Sequence, residues 1–538
     1  MDYDFIIVGA GSAGCILADR LSESGRYTVL VLEAGGKDRS LWLKLPVGFA
    51  KTYYNPQYNY GYYSEPEAAL GGRRIYTPRG KVQGGSGSIN AMIYVRGQPA
   101  DFDDWAAAGN TGWSYRDVLP YFKKLECHPA GDTDFRAGQG KIGITPMKDG
   151  AHRLCDYYLQ GAAQLGYPLN DDFNGSHFEG AGIYEANIRN GQRDSSNTAY
   201  LKPALQRPNL QIEHFCTAEK LLFDAQKRVT AVQVHQGEHS KTFRARREVI
   251  LAAGAVDSPK LLQLSGIADQ ALLAKHHIPV LQHAPAVGRN LQDHLCASYY
   301  YRANIRTLND DFRSLWGLLR AGLQYILRRR GPLALSVNQA GGFFKGDGNE
   351  AQPNIQLYFN PMSYQIPKTG KVKLKPEPYS GFLLAFNPCR PSSTGQIELA
   401  SADPRAAALI RPNYLATDRD IREVLQGSRL IRKLMQAPAL QNITAAEVLP
   451  GIQVDDDAGM LQYFRDNCGS IYHLCGTCRM GPDPHSAVVD SRLRVHDVHG
   501  LRVVDASIFP NITSGNINAP VMMVAEKGAD MILQDNHR

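Results

Sequence analysis

Asp4–Val8, DFIIV, is a short unbroken apolar run that stops on glycine. A run of that length with a glycine behind it predicts a strand buried on both faces. Over Ser12–Ser22 the apolar residues Cys15, Ile16, Leu17 and Leu21 stand among few breakers, which predicts a helix. Thr28–Leu32, TVLVL, predicts a second buried strand. Strand, helix and strand in this order open a Rossmann-type unit. Farther on, Leu210–Ile212, Lys220–Phe223, Val229–Val234 and Glu248–Ala252 read as strands. The last of them runs into Ala253-Gly254-Ala255, and Val256–Leu264 then reads as a helix. Near the end, Val503–Val504 with Asp505 predicts a strand and turn, and Ala519–Leu533 a closing helix.

Two stretches break this pattern. Segment 70–97 is rich in Gly, Arg and Ser and weak in periodicity, so it predicts loop with a short helix near Ser88–Tyr94. Residues 300–470 have no glycine fingerprint, more proline and several amphipathic segments, and are assigned to a second, substrate-facing domain. Within them Leu315, Leu318, Leu319, Leu323 and Ile326 share one helical face, with Arg320 and Arg328–Arg330 beside or beyond it. Such a helix ordinarily packs on its own domain. A basic amphipathic helix also suits a membrane surface.

Composition narrows the class. The 538 residues make roughly two to four domain-sized units. Apolar residues at 43% and charged residues at 21% are ordinary for a globular protein. The 51 glycines are spread along the chain, which argues for tight turns and close backbone approach to a cofactor. A net charge of +7 is mild at this size and carries no aromatic-interleaved basic stripe, so nucleic acid is a poor partner. Nine cysteines at irregular spacing make no disulfide framework. The opening MDYDFIIVGAGSAG lacks a basic leader, and no run of about 18 apolar residues exists. The expectation is a cytoplasmic protein whose membrane contact, if any, is peripheral at the inner face.

Gly9-Ala10-Gly11-Ser12-Ala13-Gly14 is G-x-G-x-x-G, set after a strand and before a helix. Gly9 permits the tight turn, Gly11 the approach of a pyrophosphate, and Gly14 close packing of helix on strand. The helix N-terminus supplies N–H groups and a positive dipole end. Glu33 stands nineteen residues after Gly14, where a carboxylate suits the ribose hydroxyls of an adenosine and repels a 2′-phosphate. The motif leaves FAD and NAD both open.

Arg79-Gly80-Lys81-Val82-Gln83-Gly84-Gly85-Ser86-Gly87-Ser88-Ile89-Asn90 resembles the first signature of the glucose–methanol–choline (GMC) oxidoreductases, FAD-dependent alcohol oxidases and dehydrogenases. Residues 254–267, GAVDSPKLLQLSGI, resemble the second. With the fingerprint and the C-terminal segments they span nearly the whole chain in family order, nearest to the choline dehydrogenase and aliphatic alcohol dehydrogenase branch. The resemblance implies an α/β chain: a Rossmann-type FAD-binding domain from 1–150, 205–300 and 470–538, and an α+β substrate-binding domain from 151–204 and 301–469, with an antiparallel sheet flanked by helices. It places Gly84–Gly87 by the diphosphate and flavin ring, Asn90 and Ala91 near the ring, and adenine near Ala218. It assigns Ser12, Ala13, Ala34, Arg79, Val82, Gly84, Gly85, Ser86, Met92, Ala253, Gly254 and Ala519 to the cofactor as well. Asp505-Ala506 matches the flavin-contacting turn, and Asn518 and Pro520 line the flavin. Some members tether FAD through a histidine in the first signature; Ile89 stands there, so the FAD is expected to be noncovalent.

Oxidising an alcohol takes a proton from oxygen while hydride leaves carbon, and a neutral histidine suits the first task. Of fifteen histidines, His473 stands in Ile471–Gly481, IYHLCGTCRMG, just before a Gly-Thr turn, and matches the family stretch HPxGTxxMG. The family's second catalytic position falls on Asn516, whose amide would hold the substrate oxygen. One departure is Leu474, where the family usually has proline. Cys475-x-x-Cys478 lacks the further ligands a metal needs and is read as packing. Asp455-Asp456-Asp457 is read as a solvated helix start. The expected activity is FAD-dependent oxidation of a primary alcohol, aliphatic or aromatic, with electrons passed to an acceptor other than O₂, such as a membrane quinone. An O₂-using oxidase, a hydroxynitrile-lyase-like enzyme and a noncatalytic flavin-binding protein are the alternatives. A second nucleotide site for NAD(P) is disfavoured, because no second fingerprint exists.

Overall fold

The structure is a computed structural model describing residues 2–365 and 375–537; positions 366–374 of the segment assigned to the substrate side lie outside the described residues. Among the described residues two seven-stranded sheets organise the chain. The first runs Leu210–His214, Val29–Glu33, Asp2–Val8, His239–Leu251, Val229–Gln236, Cys216–Phe223, with Leu501–Val503 beside the far end of His239–Leu251. Its first four strands and Leu501–Val503 pair in parallel; the remaining two are antiparallel. Val29–Glu33 is buried at every position, as an unbroken apolar run requires of a strand covered on both faces. The predicted helix is Ser12–Ser22, and it packs on the closing helix Asn518–Asn536, so the two ends of the chain meet.

His239–Leu251 is longer than the stretch Glu248–Ala252 that its apolar residues announce. Its first half is mostly polar and exposed and is held chiefly by pairing with Val229–Gln236, so hydrophobicity gave no sign of it.

The second sheet is antiparallel throughout, in the order Thr444–Leu449, Leu295–Ala303, Gly381–Pro388, Ile355–Asn360, Ala340–Phe344, Gly180–Ile183, with Gly469–Ser470 beside Leu295. Its strands have two faces. Tyr299, Tyr301, Leu357, Phe359, Phe382 and Leu384 pack with residues of the helices Leu154–Gln164, Asp418–Met435 and Asp457–Asn467. The alternate residues Tyr300, Tyr358, Leu383 and Ala385 face a cavity between the sheets. The strand Leu295–Ala303 crosses position 300, which the sequence suggests as a boundary.

The short helix expected near Ser88–Tyr94 does not form. One 3₁₀ turn spans Gly85–Ser88, then the chain extends, with Met92 at φ +67° and Ile93 bridged to Ala186. The reason is Arg193, which donates to the Gly87 carbonyl at 3.2 Å and to the Asn90 carbonyl at 2.6 Å, so a side chain takes acceptors that a helix would have used. The acidic run does start a helix, Asp457–Asn467, with Asp456 as its cap. Leu315–Arg328 is helical, but only Ala321 and Tyr325 are buried; its leucines face outward.

Candidate active site

The carboxyl ends of the parallel strands open on one cavity of about 1490 Å³. Gly9 follows Val8 there, Glu33 closes its strand, Ala253–Gly254 follow Leu251, and Asp505 follows Val503. Strand ends at such a crossover are where open α/β sheets take ligands. Gly9 sits at φ +101°, and a Cβ on Gly14 would lie 1.9 Å from the Gly9 carbonyl oxygen, so neither position accepts a side chain. The two glycine loops touch: a Cβ on Gly85 would lie 2.7 Å from the Gly11 Cα, and the Gly84 N–H donates to the Ala10 carbonyl at 2.7 Å. The Ser12–Ser22 helix has no side-chain cap, which leaves its first N–H groups for an anion. A bare backbone cradle beside an uncapped helix start fits the diphosphate of a dinucleotide.

All the expected cofactor residues line this cavity except Gly14, Val82, Gly84, Gly87, Ala519 and Pro520. Those six shape the wall from behind, Gly87 against Ser12. Gly14 lies against Gly9, Val82 packs with Leu43 and Ile89, Gly84 holds Ala10, and Ala519 and Pro520 are buried in the first turn of the closing helix. Ser12 Oγ donates to Asn518 Oδ1 at 2.8 Å and so closes the cradle with the far end of the chain. Asp505 accepts from the Gly254 N–H at 2.8 Å, the Ser258 hydroxyl at 2.6 Å and the Ser507 N–H at 2.8 Å. It thus ties the start of the second signature segment to the turn after Leu501–Val503.

Glu33 accepts the Ala10 N–H at 2.8 Å and the Gly35 N–H at 2.7 Å, one on each oxygen. Each oxygen keeps a lone pair for a hydroxyl donor. Burial pushes the carboxyl up to about 7. Glu33→Ala strands two buried N–H groups and removes the acceptor, so FAD retention should weaken; the flavin absorbance left after dialysis measures it. Full occupancy would count against the role.

At the other end of the cavity stand the two expected catalytic residues, His473 and Asn516. The Asn516 amide nitrogen lies 3.2 Å from His473 Nε2, and Asn516 Oδ1 accepts from Gln356 Nε2 at 3.3 Å. On the other side of the ring, His473 Nδ1 lies 2.9 Å from His294 Nδ1, and His294 Nε2 lies 2.7 Å from the Cys389 carbonyl oxygen. A carbonyl only accepts, so His294 carries its proton on Nε2. Its Nδ1 is then an acceptor and receives the Nδ1–H of His473. The Nε2 of His473 is left with its lone pair toward Asn516 and the cavity. Burial holds His473 well below the ordinary histidine value, with His294 and the Arg79 cation adding to the effect. Burial lowers His294 to about 4. Both rings are neutral near pH 7, so His473 presents a base and not an acid.

The backbone here is held tightly. Tyr472 sits at φ +72°, a left-handed conformation that costs a tyrosine roughly 1–2 kcal/mol. Its carbonyl accepts from the buried Arg79 guanidinium, and its N–H donates to Ser470 Oγ at 2.7 Å. The His473 N–H donates to Asp293 Oδ1 at 2.8 Å, while Asp293 Oδ2 accepts from Tyr414 at 2.6 Å and Ser470 at 2.5 Å. Losing the carboxylate would strand a buried N–H at a cost of about 1–3 kcal/mol. Leu474, which stands where the family usually has proline, is fully buried in an apolar cluster with Ala255, Val256, Leu291 and Ile410. Side-chain packing and Asp293 thus do the stiffening that a ring would have done. Cys475 and Cys478 are free and buried, and among the described residues no cluster could hold a metal.

Three participants carry no signal of their own in the sequence. His294 and Asp293 lie about 180 positions from His473, in Gln292-Asp293-His294 ahead of a strand. A polar triplet just before an apolar strand is the one mark that could have drawn notice. Arg193 is buried and pushed down to about 9 by burial, and it clamps Asn90 through both its carbonyl and its side-chain oxygen, each at 2.6 Å.

Comparison with known proteins gives the family and the fold. The GMC oxidoreductase family matches at residues 3–296 with its N-terminal part and at 391–525 with its C-terminal part. The chain is 40% identical over 538 residues to an oxygen-dependent choline dehydrogenase of Brucella suis biovar 1, covering 99% of this chain and 96% of the relative. It is 39% identical over 536 residues to one of Vibrio vulnificus, covering 99% and 94%. Among solved structures it is similar to the pyridoxine 4-oxidase of Mesorbium loti, with TM-score 0.90, 30% identity and coverage of 99% and 100%. It is also similar to the formate oxidase of Aspergillus oryzae RIB40, with TM-score 0.91, 27% identity and coverage of 99% and 98%. The chain belongs to the GMC oxidoreductase family and is an FAD-dependent oxidoreductase.

Proposed function

We propose that the protein oxidises a primary alcohol to the aldehyde, with His473 as the base and Asn516 as the oxygen-holding group. The observation that carries this reading is the relay from the Cys389 carbonyl through His294 to His473, which leaves one basic lone pair on the cavity wall. Asn516 lies 3.2 Å from that lone pair, so a single hydroxyl oxygen can receive the amide N–H while its own proton points at Nε2. Bound FAD supplies the hydride acceptor. Among the described residues the ring's hydrogen-bond partners are His294 and Asn516 and not a carboxylate, so the base is weak in its ground state and gains from a substrate whose oxygen charge Asn516 shares. Ile89 at the tethering position supports noncovalent FAD.

The substrate end of the cavity is lined by Tyr300, Tyr358, Tyr364, Cys296, Leu383 and Ala385. This apolar, aromatic wall supports an aliphatic or aromatic alcohol. Choline is the second reading: it is named for the two relatives, and tyrosine faces also suit a quaternary ammonium. The test is anaerobic bleaching of the flavin by a panel of aliphatic, aromatic and choline-type alcohols. Bleaching by none of them sinks the reading, and bleaching by choline alone selects the second. A cyanohydrin cleaved without bleaching would point to a lyase.

The electrons are proposed to pass to an acceptor other than O₂, for which a membrane quinone is suited. Admitting air to the reduced protein decides this; rapid reoxidation favours an oxidase. Among the described residues no helix is long and apolar enough to cross a membrane, so contact with one would be peripheral, through Leu315–Arg330.

A further inference from the structure

The Leu315–Arg328 helix carries its apolar face outward. Leu315, Trp316, Leu319, Leu323, Ile326 and Leu327 are 59% to 83% exposed, whereas a helix packed on its own domain buries such residues. A second segment joins it. Tyr325 packs against Leu45 and Ala334, and Leu45 follows the short helix Leu41–Lys44, whose Leu41 and Trp42 are 60% and 45% exposed. Two distant pieces of chain thus build neighbouring apolar surface, with a tryptophan on each. Along the helix the charge has one sign. In sequence no acidic residue stands between Asp311 and Asp347, while Arg313, Arg320 and Arg328–Arg330 do. The acids just before the helix, Asp310 and Asp311, pair with Arg313 and Arg306. Lys51 lies over the Trp42 ring at 5.7 Å.

We propose that this composite face docks on an anionic lipid surface, with the leucines and tryptophans at the boundary of headgroups and acyl chains and the arginines on lipid phosphates. Apolar side chains on a helix whose only charges are cations are complementary to that layer. The docking face is joined to the site. Leu45 leads through Pro46–Gly48 into the helix Phe49–Thr52, and Phe49, Tyr53 and Tyr54 line the cavity. One run of chain therefore connects the proposed lipid-facing surface to the wall of the cavity; its use by a lipid-dissolved acceptor rests on the function proposed above.

The test uses the full-length holoenzyme and sedimentation with vesicles of phosphatidylcholine, alone or mixed with phosphatidylglycerol. It needs no substrate, so its outcome is separate from that of the alcohol reading. The wild type is expected to sediment with the mixed vesicles. A Leu319→Glu, Leu323→Glu, Ile326→Glu variant and an Arg320→Ser, Arg328→Ser, Arg330→Ser variant should each bind about a hundredfold more weakly. Reduction of a soluble dye by substrate should be unchanged in both. Absence of wild-type binding to mixed vesicles, or equal binding by the variants, overturns the proposal. So does a wild-type dimer in solution that the leucine variant converts to monomer, which would give the face to a second copy.

Discussion

His473→Ala lowers turnover by about 10²–10⁴ while FAD stays bound. The magnitude is the ordinary worth of a positioned base, and the structure explains why nothing replaces it. Asn516 is an amide and takes no proton, and His294 spends its only lone pair on His473. The cradle for FAD is built from Gly9–Gly14, Glu33 and the Gly84–Ser86 loop, none of which leans on the His473 ring, so the flavin absorbance of the variant should match that of the wild type. Near-normal turnover would remove His473 from the mechanism. A second readout follows from its environment. The base works only when neutral, and burial holds it neutral well below the usual value near 6.5. Protonation is thus expected only at lower pH, and kcat/KM should stay flat as pH falls through 6.5 and drop only below it. An acid limb centred on 6.5 would mean that the ring titrates as if in water.

His294→Leu should lower kcat by about 10²–10³ with KM little changed, because it removes the acceptor that selects the tautomer of His473. Leucine fills a comparable volume, and the stranded Cys389 carbonyl costs about 1–3 kcal/mol, which a chain of this size can absorb. Nothing then keeps the proton on Nδ1, and a population of His473 presents an N–H to the substrate instead of a lone pair. His294→Gln separates positioning from bulk. Its carbonyl can accept from His473 Nδ1 and its amide can donate to Cys389, so turnover should recover to within about tenfold of wild type. Equal losses in both variants, or wild-type turnover in His294→Leu, would show that the relay does not set the protonation of the base.

The sequence was most legible where a residue's constraint is local. Gly9 and Gly14 answer to their own torsions and to backbone a few residues away, so their spacing announces them. Ser12–Ser22 is bounded correctly for the same reason: its pattern, its start after glycine and its packing all agree. The second sheet was illegible because both its faces are apolar. Leu383 and Ala385 on the cavity side are as apolar as Phe382 and Leu384 on the helix side, so no alternation marks the strand. The stretch Ser88–Tyr94 was misread because a guanidinium contributed by Arg193, about a hundred positions away, takes its carbonyls.

By itself the sequence marked the glycine cradle of the nucleotide-binding half, through residue type and short-range spacing, and its resemblance to the family singled out His473 and Asn516 as the proposed base and partner. Only the tertiary structure decided which nitrogen of His473 faces the cavity, because that depends on His294, just before Leu295–Ala303, and the Cys389 carbonyl, just after Gly381–Pro388. It also decided which way the leucines of Leu315–Arg328 point. Periodicity shows that a helix has an apolar face; whether that face is covered depends on what the rest of the chain leaves beside it, and among the described residues Leu45, Leu333 and Ala334 gather around Tyr325 while the leucines stay exposed.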